Sequence, residues 1–153
     1  LCGMHAMDIM RMESGFLHWG HDISPEENQY EAGLNFAISY KKNINFIGKK
    51  KLIKIKEMKQ KKHFIMLTLK NSKPGEPLIL HDEPIYLDGK IIGRTTSGNY
   101  SFNFNKNLAF GYVKIDKEAT SLNDKLIQIE IEKNKYEAEI LNKALNQNNF
   151  KNS

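Results

Sequence analysis

The chain has 153 residues, 40% of them hydrophobic, which allows one packed domain or one small domain plus part of another. Eight Phe and six Tyr exclude a disordered chain. The formal net charge is +5, but only Arg11 and Arg94 are arginines, and phosphate clamps and base readers favour Arg. The lysines are therefore read as solvated surface, which counts against a nucleic-acid partner. Cys2 is the single cysteine, so no internal disulfide can form, and a reducing compartment fits: the cytoplasm, or the mitochondrial matrix in a eukaryote. No apolar run reaches the roughly 20 residues of a membrane span, and no membrane partner is expected. The chain opens on Leu1, and the expectation is a piece of a longer polypeptide.

Residues 5–14 read as a short helix stopped by Gly15, with Asp8 and Arg11 paired at i, i+3. The aromatic run 16–22 reads as extended, with the rings of His18 and His21 on opposite faces. Ser24-Pro25-Glu26-Glu27 carries an N-cap, Pro at N1 and a capping box, giving one short helical turn. Leu34, Phe36, Ile38 and Tyr40 alternate with other residues, the pattern of a half-buried strand. Residues 48–60 read as a Lys-rich surface helix leading into a linker around 59–62.

Strands are expected at 63–70, 77–81, 84–87, 90–96, 108–114, 125–132 and 135–141. Asp88-Gly89 is a type I′ hairpin signal, and Asn134 with its neighbours suggests another turn. Many short strands at regular spacing argue for a small antiparallel barrel or sandwich. The residues beyond Leu145 read as a loosely ordered polar tail.

Few of these residues promise chemistry. His5, His18 and His21 lie close in sequence without the convergence that a metal demands, so no metal ligands are assigned. Cys2 beside His5 is not read as a nucleophile. Gly93-Arg94-Thr95-Thr96-Ser97-Gly98 lies between strands rather than before a helix, so a strand end or bulged turn is expected there, not a phosphate cradle. Glu130, Glu132, Glu137 and Glu139 read as the wet face of a hairpin. No position brings together a nucleophile, a base and an orienting group, and no catalytic residue is assigned.

Three stretches carry a resemblance. One is Gly3-Met4-His5-Ala6-Met7-Asp8-Ile9-Met10-Arg11-Met12-Glu13-Ser14-Gly15, continuing through His18-Trp19-Gly20-His21-Asp22. Another is Tyr30-Glu31-Ala32-Gly33-Leu34-Asn35-Phe36-Ala37, followed by Phe46-Ile47-Gly48-Lys49. The last is Asp82-Glu83-Pro84-Ile85-Tyr86 with the run 93–98 and Leu108-Ala109-Phe110-Gly111-Tyr112-Val113. Together they resemble the C-terminal part of the glycine-cleavage T-protein (aminomethyltransferase) superfamily, and most of all the T-protein-like region of sarcosine and dimethylglycine dehydrogenases.

The resemblance implies an α+β, mainly β chain. Residues 1–58 would be the end of a folate-binding α+β domain, 62–145 a small antiparallel Greek-key-type β-barrel, and 146–153 a polar tail. It implies tetrahydrofolate as cofactor, a methylated or aminomethyl amine as one-carbon donor, and a missing N-terminal domain as partner. FAD is left open, in that missing domain. Simple T-proteins have Arg where this chain has Met7 and Tyr where it has Trp19; the dehydrogenase branch often has Tyr at Phe16. Met7, Phe16 and Trp19 are the candidate cofactor-binding residues by apolar and stacking contact, with packing into the core as the alternative. Arg11 and Glu13 are read as structural. Two other functions stay open: a non-catalytic barrel that docks a partner, and a nucleic-acid binder working through 49–62.

Overall fold

The computed structural model describes residues 2–41, 44–114, 122 and 125–148. It is a closed barrel of six antiparallel strands with helix α1 packed on its outer face. The elements are α1 (Met4–Glu13), a 3-10 turn (Asn35–Ala37), α2 (Lys49–Glu57), β1 (His63–Leu69), β2 (Pro84–Leu87), β3 (Lys90–Ser101), β4 (Lys106–Val113), β5 (Ile127–Ile131) and β6 (Asn134–Ile140). A last 3-10 turn spans Leu145–Asn148. Around the barrel the order is β1-β4-β3-β2-β5-β6. Strands β2, β3 and β4 form a meander and β1 lies beside β4, which is a Greek key; the β5–β6 hairpin closes the ring. Closure leaves no sheet edge exposed.

Period-two burial makes the interior. Ile65, Leu67 and Leu69 of β1 and Ile127, Ile129 and Ile131 of β5 point inward, joined by Ile85, Ala109 and Val113. Strand β4 is apolar on both faces for a visible reason. Its outer face, Leu108 and Phe110, packs under Met12 of α1 in a second cluster with Ile9, Phe64 and Met66. Gly111 is required there, because a Cβ would stand 2.5 Å from the Arg94 carbonyl oxygen.

Helix α1 ends as the sequence suggests. Gly15 takes φ +76°, the Gly15 N–H bonds the Met12 carbonyl and the Phe16 N–H bonds the Arg11 carbonyl, a Schellman cap. Asp88 and Gly89 both have positive φ, so the type I′ turn forms. The other hairpin turns on Glu132 and Lys133, which adopt positive φ, with Asn134 already paired to Ile131. The β5–β6 glutamates stay at its surface, where Glu130 accepts a bond from the Tyr86 hydroxyl at 2.7 Å.

Four expectations outside the 16–22 run need correction. Residues 34–40 form no strand: a 3-10 turn and irregular chain stand there, because no strand among the described residues offers them hydrogen bonds. Residues 77–81 keep the side-to-side alternation, with Ile79 buried and Leu78 and Leu80 exposed, but they join no ladder. Ser24–Glu27 form a hydrogen-bonded turn, not a helix. The Glu27 carboxylate accepts from the Ser24 N–H at 2.8 Å, while Ser24 Oγ accepts from Glu26 instead of completing the box. Past Leu145 the chain continues in its 3-10 turn, and Asn146 donates to Ser14 Oγ at 3.2 Å. The rest of that tail, 149–153, lies outside the described residues.

Candidate functional site

The site is built where α1, the loop 16–23 and β3 meet. The loop is not extended. It folds round the His18 carbonyl, which accepts N–H bonds from His21, Asp22 and Ile23. This fold stacks the His18 and His21 rings, 4.6 Å apart and 26° from parallel, where an extended chain would have separated them. It also turns Asp22 inward, to 1% exposure.

A buried carboxylate needs several donors to replace water. Asp22 has four. Its Oδ2 accepts from Arg11 at 2.5 Å and from the His18 N–H at 2.9 Å. Its Oδ1 accepts from Thr96 Oγ1 at 2.5 Å and Ser97 Oγ at 2.8 Å. Neighbouring strand residues normally face opposite ways, yet these two hydroxyls reach one oxygen. The register shift of β3 against β4 between Thr95 and Ser97 permits it. The 93–98 run is thus a bulge, as expected, but inside a strand that continues to Ser101.

Arg11 is fully engaged: besides Asp22 it meets Asp8, Ser97 Oγ and the Phe16 carbonyl. Two residues on, Glu13 is buried and accepts from Ser101 Oγ at 2.5 Å and Asn103 Nδ2 at 3.0 Å. Both side chains reach from α1 to β3, Arg11 through Ser97 and Glu13 through Ser101. They fasten α1 and the aromatic loop to the barrel.

Beside this network lies a cleft of about 550 Å³. Met7, Phe16 and Trp19 all line it, with Met4, Leu78 and Leu80 completing the apolar wall. They do not pack the core: Met7 is 48%, Phe16 68% and Trp19 65% exposed. Leu78 and Leu80 have no signal in the sequence beyond their alternation about Ile79, since only folding brings that segment to α1. Asp22, Thr96 and Ser97 also escape sequence reasoning. The one available hint is a lone Asp after an aromatic run, with Arg11 as the nearest guanidinium.

On the far side of His21 and Thr96 is a second cavity of about 730 Å³, lined by several charged side chains. Its charges largely satisfy one another: Arg94 pairs with Asp82 at 2.5 Å, and Lys62 with Glu27. Burial pushes the Glu27 carboxyl upward, but hydrogen bonds from Lys62 and Ser24 outweigh it and hold the group below its ordinary value. The Tyr112 hydroxyl is buried without a hydrogen-bond partner among the described residues, and Lys62 sits over its ring. Burial, with the nearby charges of Glu27, Asp22 and Glu31, pushes that phenol well above its usual range. Among the described residues no group of three or more His, Cys, Asp or Glu converges to hold a metal ion. No helix of those residues is long and apolar enough to cross a membrane.

Comparison with known proteins places this architecture. The family model described as the glycine cleavage T-protein C-terminal barrel domain matches residues 62–145, and the one described as the GCVT N-terminal domain matches 1–42. The chain is 36% identical to 4-methylaminobutanoate oxidase (formaldehyde-forming) of Paenarthrobacter nicotinovorans, over 84% of this chain and 15% of that protein. It is 33% identical to the mitochondrial dimethylglycine dehydrogenase of Homo sapiens, over 94% of this chain and 16% of the relative. An aminomethyltransferase of Listeria welshimeri is 35% identical, over 91% of this chain and 36% of its own length. The chain thus spans between about a sixth and a third of these curated relatives. The glycine cleavage system aminomethyltransferase T of Bartonella henselae has the same fold, with a TM-score of 0.73 at 22% identity, over 88% of this chain and 36% of that one. By fold and sequence alike, the chain belongs to the glycine-cleavage T-protein (aminomethyltransferase) superfamily.

Proposed function

We propose that this chain is the C-terminal part of a folate-dependent one-carbon enzyme of the sarcosine or dimethylglycine dehydrogenase type. In this reading 1–58 completes a folate-binding domain and 62–145 is its barrel. The whole protein moves a one-carbon unit from a methylated or aminomethyl amine to tetrahydrofolate, in the cytoplasm or the mitochondrial matrix.

The observation that carries the reading is the convergence of Met7, Phe16 and Trp19 on one apolar cleft. Tetrahydrofolate presents two flat rings, and an open wall of Trp, Phe and Met suits them by stacking and thioether contact. When bound, tetrahydrofolate accepts the one-carbon unit; these side chains would only hold and orient it. Within this cleft Arg11 does not clamp its carboxylates, because it is spent on Asp8 and Asp22. The described residues do not fit FAD: their Gly-rich segment, 93–98, is strand interior. A flavin, where the protein uses one, belongs to another part of it.

Calorimetric titration of the product of the complete open reading frame with tetrahydrofolate tests this. Saturable heat is expected, and it should be reduced in a Trp19→Ala variant. No heat at millimolar ligand refutes it.

A docking role for the barrel and its flank is the second reading, favoured by Phe36 at 81% and Ile47 at 103% exposure. It predicts no folate binding, so the same titration separates the two.

A further inference from the structure

Lysine is concentrated in one part of the chain. The stretch 41–62 holds ten of the 21 lysines and one acidic residue, Glu57, so it carries +9 while the rest of the chain carries −4, against +5 overall. A general preference for lysine would scatter the charge; here it is gathered on and around α2. The same surface is also apolar. Ile44, Phe46 and Ile47, which lead into α2, are exposed, as are Ile53 within it and Met58 at its end. Neither cavity described above reaches these residues.

The inner side of α2 is accounted for. Leu52 and Ile55, three residues apart, are half-buried. The Ile55 carbonyl accepts from Gln60 Nε2 at 2.9 Å, Gln60 Oε1 accepts from Asn28 Nδ2 at 3.0 Å, and Lys56 lies over the Tyr40 ring at 5.5 Å. These contacts fix which way the helix faces. Helical spacing then sets Lys50, Ile53, Lys54 and Glu57 on the opposite side, with Lys51 beside them, and all five are exposed.

We propose that residues 44–58 form a peripheral docking surface for an anionic lipid bilayer. The inference is independent of the folate reading. Charge complementarity supplies the attraction: each lysine brought near an anionic headgroup layer strengthens partition roughly fivefold. The exposed Ile44, Phe46, Ile47 and Met58 add apolar side chains that gain by entering the boundary between headgroups and acyl chains. Two features set lipid against nucleic acid. The stretch contains no arginine, whereas phosphate clamping and base reading favour the guanidinium fork. Its apolar side chains would also gain nothing against a phosphate backbone. A folded protein partner would seat its anchoring side chains in a pocket, and neither cavity offers one at this surface. A contact of this kind needs no spanning segment.

Vesicle flotation of the product of the complete open reading frame tests this. At about 0.1 M salt it should float with vesicles of phosphatidylcholine and phosphatidylglycerol mixed about 2:1, and not with phosphatidylcholine alone; about 0.5 M salt should release it. Lys50→Gln, Lys51→Gln and Lys54→Gln together should weaken partition about a hundredfold. Ile47→Ser should weaken it roughly fivefold. Both variants change only exposed side chains, so their thermal melts should match the parent's. No flotation with the mixed vesicles, or equal flotation with phosphatidylcholine alone, overturns the proposal. A triple variant that partitions like the parent overturns it as well. If a random-sequence duplex DNA is bound more tightly than the mixed vesicles, and Ile47→Ser weakens neither, the patch serves nucleic acid and the lipid surface is overturned.

Discussion

Replacing Asp22 by alanine tests whether the Asp22 network holds the site together. The substitution removes a carboxylate that is 1% exposed and strands four donors: an Arg11 N–H, the His18 N–H and two hydroxyls. Thr96 and Ser97 can turn their hydroxyls elsewhere, and Arg11 keeps Asp8. The His18 amide cannot move without the loop. Breaking a buried ion pair from one side costs about 3–5 kcal/mol, and the partial rescue of Arg11 by Asp8 puts this case near about 3 kcal/mol. Asp22→Asn should cost less, about 1–2 kcal/mol, because an amide oxygen can face Arg11 and His18 while its NH2 donates to the two hydroxyls. Urea unfolding followed by Trp19 fluorescence and far-ultraviolet circular dichroism measures both. With Arg11→Ala alongside Asp22→Ala, the double variant should lose clearly less than the sum of the singles, since each single leaves a charge without its main partner. A loss under about 1 kcal/mol for Asp22→Ala, or strict additivity in the double variant, would refute the argument.

Three other outcomes follow from the same structure. Trp19→Ala should change stability by less than about 0.5 kcal/mol, because the ring is exposed, yet weaken ligand binding by about 1 kcal/mol or more; a large stability loss would mean that the ring packs the fold. Gly15→Ala should destabilise by about 1–2 kcal/mol in thermal melts, since φ is +76° and the new Cβ would stand 2.9 Å from that of Ala144. Glu27 is held below its ordinary value of 4.5, so its contribution is complete above that pH and is lost as pH falls through the lower, folded value. Glu27→Gln should therefore flatten the acid limb of the stability profile below about pH 4.5 and leave its neutral-to-alkaline shape unchanged.

Much of the fold was written in local pattern. The alternation of Ile65, Leu67 and Leu69 and of Ile127, Ile129 and Ile131 specifies strands, because every second side chain must leave water together. Asp88-Gly89 specifies its turn, since few other pairs accept two positive φ values cheaply. Met7, Phe16 and Trp19 were singled out through family likeness rather than period, and the fold brings them to one cleft. Tertiary structure decided what depends on distant partners. Leu34, Phe36, Ile38 and Tyr40 alternate as well as any strand here, but a strand requires a neighbour's hydrogen bonds and the described chain supplies none. Asp22 becomes buried only because a bulge 74 residues away delivers a hydroxyl to it. The cleft exists only where α1, the loop and the segment before β2 meet. Pairing partners and converging surfaces are properties of the closed barrel, and no window along the chain contains them.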